Sequence, residues 1–205
     1  MKKLALSFAF IASATPAFAH HPMGGETPAT LAQGLLSGIG HPVLGLDHLA
    51  FVVAVGIAAV LAGSRFLLPL AFIVATVAGT LVHLQAIDLL APEWMIAASV
   101  ATVGLMIASG RSFGALAYGI VFAAAGLFHG FAYGEAVFGA ETTPVLAYLA
   151  GFAATQYAIA VLAGVAIVGG SAALIRAVPA RVAGGMVAGA GLLIFGEKLI
   201  EAAFA

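Results

Sequence analysis

Long apolar stretches alternate with short polar breaks along most of the chain. Most of these stretches approach the roughly 20 residues that an α-helix needs to cross a bilayer. Because unsatisfied backbone groups are excluded from lipid, all of the stretches are predicted to be helical. The pattern therefore predicts an all-α, polytopic membrane helix bundle of six transmembrane helices, which cover residues 42–62, 67–90, 94–109, 113–138, 144–169 and 182–199.

The amino-terminal residues have the three zones of a secretory signal peptide, namely two lysines, an apolar run and small residues ahead of the cleavage point. We expect cleavage after Ala19, which assigns residues 1–19 to a signal peptide, 20–41 to a periplasmic segment and 42–205 to the transmembrane domain. An uncleaved first helix is the alternative, although the apolar run is shorter than the roughly 20 residues of a span. Residues 31–40 are too few to cross a bilayer, and either lie at the interface or extend the first helix.

The charged residues at the breaks predict the topology. Arginines follow the first, third and fifth stretches and acids follow the second and fourth, namely Arg65, Arg111, Arg176 and Arg181 against Glu93 and Glu141. Cytoplasmic loops carry an excess of basic residues, and a cleaved signal peptide also places the mature amino terminus outside. We therefore expect a multi-pass protein of the bacterial inner membrane with both termini in the periplasm. Trp94 and Tyr148, near the ends of stretches, are expected to be interfacial anchors.

The composition excludes several classes of function. With 63% apolar and 7% charged residues, the chain has too few polar side chains to cover a soluble globule, so its partner is membrane lipid. The absence of cysteine excludes thiolate metal sites and thiol catalysis. A net charge of −1 without a basic run predicts no nucleic-acid binding, and neither a prosthetic group nor a P-loop is indicated. Assembly into a homo-oligomer remains open.

A few imidazole and carboxylate groups interrupt the apolar stretches, where they are costly and indicate function. At a rise of about 1.5 Å per residue, all of them lie in the outer half of the membrane under the predicted topology. Chance would scatter them over both halves, so the clustering predicts an outward-facing metal site with nitrogen and oxygen ligands. The candidate ligands are His41, Asp47, His48, His129 and Glu135, with His83, Asp88 and Glu197 as weaker candidates.

The spacing of the candidates constrains how such a site is built. His41 and His48 are seven residues apart, about 10.5 Å along a straight helix, while His129 and Glu135 are six apart and on different helical faces. Ligands to one ion must each lie within about 2.0–2.2 Å of it. The site therefore draws on several helices, or the helices break at Gly45, Gly130 or Gly134. Glycines at four-residue spacing also predict a close helix partner for the fourth stretch, at Gly126, Gly130 and Gly134.

Two segments, His41-Pro-Val-Leu-Gly-Leu-Asp-His48 and Phe128-His-Gly-Phe-Ala-Tyr-Gly-Glu135, resemble the two signatures of the HupE/UreJ family. Members of that family are nickel permeases, with cobalt in some members, that are associated with hydrogenase and urease maturation. The resemblance extends to the layout of the whole chain, with a signal peptide, six spans and motifs on the first and fourth. It implies a role in metal uptake for His41, Asp47, His48, His129 and Glu135, whereas His83 is a candidate from its depth alone.

Each of the main candidates also has a purely structural interpretation. His41 precedes Pro42, and proline suits a first helical turn, so His41 could be a helix cap. Asp47 and His48 could form a hydrogen-bonded pair that holds helices together. His129 could have a purely structural role on its glycine-rich helix, and Glu135 could be an acid at the wet interface.

The two ends of a metal route have candidates of their own. Signal cleavage would expose His20 and His21, whose amine and imidazole nitrogens could capture metal outside, unless this end is disordered. The inner half carries no ionisable group apart from the boundary arginines. An exit path would therefore use backbone groups, hydroxyls, Gln156 or Met106.

The leading hypothesis is a permease that passes a divalent metal ion from the periplasm to the cytoplasm. Ni(II) is the favoured ion, although the same ligands also bind Co(II), Zn(II) or Cu. On this hypothesis the protein is not an enzyme. Two other functions remain open. One is an intramembrane zinc-dependent hydrolase, in which histidines and an acid would hold zinc and activate water. The other is a non-transporting metal-binding maturation partner.

Overall fold

The computed structural model describes residues 26–111, 113–168 and 178–204. Within these ranges the chain forms seven α-helices and a short 3-10 helix after the fifth. The helices are α1 Leu31–Leu44, α2 Leu46–Leu61, α3 Leu67–Leu84, α4 Pro92–Ala108, α5 Ala115–Gly134, the 3-10 helix Glu135–Val137, α6 Thr142–Val168 and α7 Val178–Phe204. The predicted signal peptide and the candidates His20 and His21 lie outside the described residues.

The described residues form a multi-pass, all-helical architecture, but the predicted count of six spans is not confirmed. Four helical segments are long and apolar enough to cross a membrane, and the bent pair α1–α2 gives a fifth if it counts as one span. The remaining helix, α4, has 17 residues and is therefore about 25 Å long, against a hydrocarbon core of about 30 Å. Pro92 occupies its first turn and Gly110, with a φ of 65°, follows its end, so neighbouring residues do not lengthen it.

The break between α1 and α2 lies at Gly45, where the two helix axes differ by 77°. The first span was predicted to begin at Pro42, but this proline and His41 belong to the last turn of α1. Gly45 has an extended backbone with φ −78° and ψ 106°, and it serves as the amino-terminal cap of α2. His41 is therefore not a helix cap. The segment 31–40, predicted to lie at the interface or extend the first span, forms most of a separate helix that begins with a capping box of Thr30 and Gln33.

The helices associate in three pairs, which we call the first pair (α1–α2 with α6), the second pair (α3 with α5) and the third pair (α4 with α7). In the first pair Gly34 meets Pro144 and Gly56 meets Ala160, so α1–α2 and α6 run in the same direction. The seam of the second pair is equally close, because a Cβ added at Gly130 would overlap the backbone of Thr76. The predicted close partner of the glycine stripe on α5 is thus confirmed, and it is α3.

The third pair is antiparallel and carries polar contacts at both ends. Lys198 of α7 forms ion pairs with Glu93 at the start of α4 and with Glu201. At the other end, the Arg181 Nε–H donates to the carbonyl of Ala108, 3.1 Å away. Parallel first and second pairs and an antiparallel third pair are the directions expected of six segments that alternate across a membrane.

Candidate metal site

Three histidines from three helices meet in the interior of the bundle. His41 of α1, His48 of α2 and His129 of α5 are 2%, 3% and 0% exposed. The ring centroids of His41 and His48 are 5.7 Å apart, and those of His48 and His129 are 5.3 Å apart. The bend at Gly45 brings the first two rings together, although a straight helix would separate them by about 10.5 Å. We refer to His41, His48 and His129 as the histidine cluster.

The closest contact in the histidine cluster joins two ring nitrogens. The Nδ1 atoms of His48 and His129 are 3.1 Å apart. Two nitrogen ligands that each lie about 2.0–2.1 Å from one ion, at an angle of about 90–110°, are about 2.9–3.4 Å apart. The two Nδ1 atoms therefore have the separation of adjacent ligands to a single metal ion.

The outer part of the histidine cluster contacts two tyrosines. The hydroxyl oxygen of Tyr148 lies 2.9 Å from His41 Nδ1 and donates to the backbone carbonyl of Tyr133, 2.8 Å away. The ring of Tyr133 packs edge-on against His41, with centroids 4.8 Å apart, and lies tilted against His48, with centroids 4.4 Å apart and an interplanar angle of 41°. Tyr148 is fully buried, so its predicted place as an interfacial anchor is wrong. Its hydroxyl satisfies polar groups inside the bundle rather than at the membrane surface.

The inner part of the histidine cluster is held by a serine and a phenylalanine. The hydroxyl oxygen of Ser99 on α4 lies 3.0 Å from His129 Nε2 and donates to the carbonyl of Ile96, 2.7 Å away. The Phe51 ring stacks on the His129 ring, with centroids 4.3 Å apart and an interplanar angle of 28°. These contacts fix both the plane of the His129 ring and the directions of its two nitrogens.

The carboxylate candidates occupy different environments. Asp47 lies in the first turn of α2 next to His48 and is half-buried. Glu135 begins the 3-10 helix after α5 and is exposed, in agreement with the different helical faces expected for it and His129. Within the described ranges, no three His, Asp or Glu side chains lie close enough to hold one ion together. The His48–His129 pair is therefore the candidate on which the geometry of this arrangement bears most directly.

The weaker candidates lie in other surroundings. His83 at the end of α3 is half-buried, with its ring 4.5 Å from that of Phe131 and 5.4 Å from that of Phe138. Its Nδ1 has no hydrogen-bond partner among the described residues. Asp88 is exposed in the connection to α4, and Glu197 is half-buried on α7.

Ser99 and Tyr133 were not among the sequence candidates. Tyr133 lies inside the second motif, between His129 and Glu135, so its position in the sequence was a usable signal. Ser99 is a hydroxyl residue in the middle of an apolar helix, which is a weaker signal because such hydroxyls also bond to their own backbone.

Comparison with known proteins identifies the family. The sequence model of the family described as HupE / UreJ protein matches residues 8–194. The chain belongs to the HupE/UreJ family. Protein HupE of Rhizobium leguminosarum bv. viciae is 33% identical over 198 residues, which cover 95% of this chain and all of that protein. Members of the family are hydrogenase and urease accessory transporters of nickel or cobalt, not enzymes. No solved structure shows a significant match to the chain.

Proposed function

We propose that this member of the HupE/UreJ family carries Ni(II) from the periplasm to the cytoplasm, and that the ion, as substrate, binds first at the histidine cluster. The observation that carries the proposal is the 3.1 Å separation of the His48 and His129 Nδ1 atoms. Family membership indicates which metals are transported, and the pair of Nδ1 atoms indicates where one ion would bind. His41 and Asp47 are next to this pair, so one of them or water would complete the coordination shell.

The chemistry of the ligands favours a borderline divalent cation. Imidazole suits nickel, cobalt, copper and zinc, whereas a hard cation such as Mg²⁺ prefers oxygen ligands. A dication in a low-dielectric interior needs compensating charge nearby. The Asp47 carboxylate provides it on one side of the histidine cluster.

We further propose that the arginine-bearing ends of the helices face the cytoplasm, which places the histidine cluster in the periplasmic half. The charge pattern at the breaks supports this orientation, and the helix directions in the three pairs support the alternation of the segments across the membrane. The protein would then be a multi-pass protein of the bacterial inner membrane.

The proposed function is tested with the purified protein in liposomes that contain a trapped nickel-sensitive dye. Nickel added outside should enter faster than into protein-free liposomes, and Mg²⁺ in excess should not compete. Binding of nickel without entry would contradict transport and favour the maturation-partner alternative. Entry at the rate of empty liposomes would refute the proposal.

Glu135 is proposed to attract cations to the entrance rather than to hold the ion in the histidine cluster, because its side chain is exposed. Replacement by glutamine should lower the initial uptake rate at low metal concentration by about two- to fivefold, the effect of one exposed charge. The loss should disappear at saturating nickel or in high salt, since salt screens exposed charges. A defect that persists at saturating nickel would instead mean that Glu135 is a ligand. Exposed Glu26→Gln is the control.

Gln156 on α6 is the proposed next contact on the way inward. It is fully buried, and neither its amide nitrogen nor its amide oxygen has a hydrogen-bond partner among the described residues. Leaving such a group unsatisfied costs about 1–3 kcal/mol, and contact with a passing ion would offset this cost. Gln156 lies eight residues beyond Tyr148, about 12 Å further along the helix and away from the proposed entrance.

Replacement of Gln156 by leucine should slow nickel transport by roughly tenfold, while nickel affinity stays unchanged and the melting temperature stays equal or rises, because a desolvation cost of about 1–3 kcal/mol is removed. Transport rate, binding and thermal unfolding are measured on the same preparation. Thr155→Val, at the neighbouring position, is the matched control for loss of a polar group. A wild-type transport rate in the leucine variant would show that Gln156 does not contact the ion on its way inward.

A further inference from the structure

Two hydroxyl groups lie at opposite ends of the histidine cluster and have the same pattern of contacts. Each hydroxyl oxygen is within hydrogen-bond distance of one histidine nitrogen and one backbone carbonyl oxygen. For Tyr148 these are His41 Nδ1 at 2.9 Å and the carbonyl of Tyr133 at 2.8 Å. For Ser99 they are His129 Nε2 at 3.0 Å and the carbonyl of Ile96 at 2.7 Å.

This pattern favours one placement of the histidine protons. A hydroxyl has a single proton, and a carbonyl oxygen can only accept. With the Tyr148 and Ser99 protons donated to the two carbonyls, each histidine nitrogen donates to the hydroxyl oxygen. In this placement His41 carries its proton on Nδ1 and His129 carries its proton on Nε2. In the neutral rings the lone pairs consequently belong to His41 Nε2 and His129 Nδ1.

We propose that Ser99 and Tyr148 are positioning residues for metal binding, which act by fixing the tautomers of His129 and His41. The inference rests on the proposed function only in taking nickel as the ion that binds the histidine cluster. With Ser99 holding the His129 proton on Nε2, the His129 lone pair is on the one nitrogen that lies 3.1 Å from His48 Nδ1. Oxygen acceptors that hold the second N–H of a ligating imidazole are the usual outer-shell partners of metal sites.

This arrangement of protons reduces the number of histidine rings that must change tautomer when an ion enters. Because the His129 Nδ1 has the lone pair, the proton between the two rings belongs to His48 Nδ1. An ion that takes a position between the rings replaces one N–H···N hydrogen bond, and the proton of His48 moves from Nδ1 to Nε2 of the same ring, which stays neutral. Neither His41 nor His129 has to move its proton.

Loss of either hydroxyl should disturb the tautomers in a predictable direction. Without Ser99, the His129 Nε2–H would be a buried donor without its acceptor, which favours the tautomer that donates from Nδ1 to His48 and hides the lone pair from the ion. Without the Tyr148 hydroxyl, His41 loses the acceptor that keeps its proton on Nδ1. Free imidazole side chains prefer the proton on Nε2, so His41 should revert to that tautomer.

The test measures the tautomers directly, by ¹⁵N NMR of the full chain labelled with [¹⁵N]histidine in nanodiscs without metal, since protonated and lone-pair nitrogens of a neutral ring have well-separated shifts. The wild type should have protonated Nδ1 at His41 and protonated Nε2 at His129. Ser99→Ala should reverse or mix the His129 pattern, Tyr148→Phe should do so for His41, and Ser99→Thr should restore the wild-type pattern.

Nickel affinity provides the second measurement. Ser99→Ala and Tyr148→Phe should each bind nickel about 10- to 100-fold more weakly, as outer-shell variants of metal sites do. The controls are Ser109→Ala, which loses a serine with the same hydrogen bond to a carbonyl three residues back, and Tyr118→Phe, which loses a fully buried hydroxyl. Both controls should keep wild-type affinity and wild-type histidine spectra.

The outcomes separate this inference from the proposed function. A wild-type His129 with its proton on Nδ1 would overturn the inference, even if the variants fail to fold, and so would unchanged tautomers and affinity in both hydroxyl variants. Either result leaves nickel uptake by the wild type standing. Conversely, the expected spectra together with no nickel entry would support the tautomer assignment and refute transport.

Discussion

Replacement of His129 by glutamine should reduce nickel entry into liposomes to the rate of protein-free vesicles. Glutamine retains a polar side chain for Ser99 and His48 but does not replace imidazole as a ligand to a borderline metal. The change removes one nitrogen of the His48–His129 pair, which has the spacing of adjacent metal ligands. Entry is followed with the trapped dye over a range of nickel concentrations.

His83→Gln is the matched comparison for this prediction. Both residues are intramembrane histidines on neighbouring helices of the second pair, but the His83 ring packs against Phe131 and Phe138. The His83 variant should keep at least about half of the wild-type rate, as expected for a substitution outside the site whose effect is small. Wild-type transport by a folded His129→Gln protein would contradict a metal site at the histidine cluster, whatever the behaviour of the His83 variant.

Gly130→Ala should strongly destabilise the bundle, although it adds a single methyl group. The added Cβ would overlap the carbonyl and Cα of Thr76 on α3, and backbone atoms cannot be relieved by a change of rotamer. The same seam contains the hydrogen bond from the Thr80 hydroxyl to the Gly130 carbonyl at 2.8 Å. We expect a loss of about 3 kcal/mol or more, at the upper end of the usual cost of overpacking. Thermal unfolding monitored by size-exclusion chromatography measures it.

Gly119→Ala on the same helix is the control. A Cβ at this position would contact only a Leu68 side-chain atom at 3.7 Å, which is an ordinary van der Waals distance. Replacing glycine by alanine within a helix is otherwise favourable by about 0.5–1 kcal/mol, so the variant should be as stable as the wild type or more stable. Equal melting temperatures for the two alanine variants would show that the second pair tolerates a wider separation than described.

The helical class and the membrane location follow from the sequence because lipid leaves the backbone few choices. Hydrocarbon offers no hydrogen bonds, so a long apolar stretch must be a helix. The place where a helix breaks is less constrained. Pro42 is compatible with the first turn of a span, where its missing N–H costs nothing. It is also compatible with the last turn of α1, where it removes one hydrogen bond. The break occurs at Gly45, three residues later. The sequence includes Gly45 among the possible break points, with Gly130 and Gly134, but offers no reason to prefer it.

The candidate site was only partly predictable for a related reason. Spacing along a helix showed that His41 and His48 could not share an ion in a straight segment, and that His129 and Glu135 lie on different faces. Which helices supply the neighbouring groups depends on tertiary packing, about which one sequence carries little information. Tyr148 has the depth of an interfacial anchor, but the packing of α6 against α1 turns it inward to His41. Ser99 reaches the site only because α4 lies against α5.

The three helix pairs each supply a different part of the candidate metal site. The first pair contributes His41, His48 and Tyr148, the second contributes His129, and the third contributes Ser99. No single pair can therefore bind the ion with its full set of contacts. By thermodynamic linkage, an ion that binds only the assembled bundle stabilises that assembly by RT ln(1 + [ion]/Kd), about 2.7 kcal/mol at one hundred times Kd. The bound ion thus acts as a reversible crosslink between the three helix pairs. The ion-free protein should therefore have a lower melting temperature than the ion-bound protein.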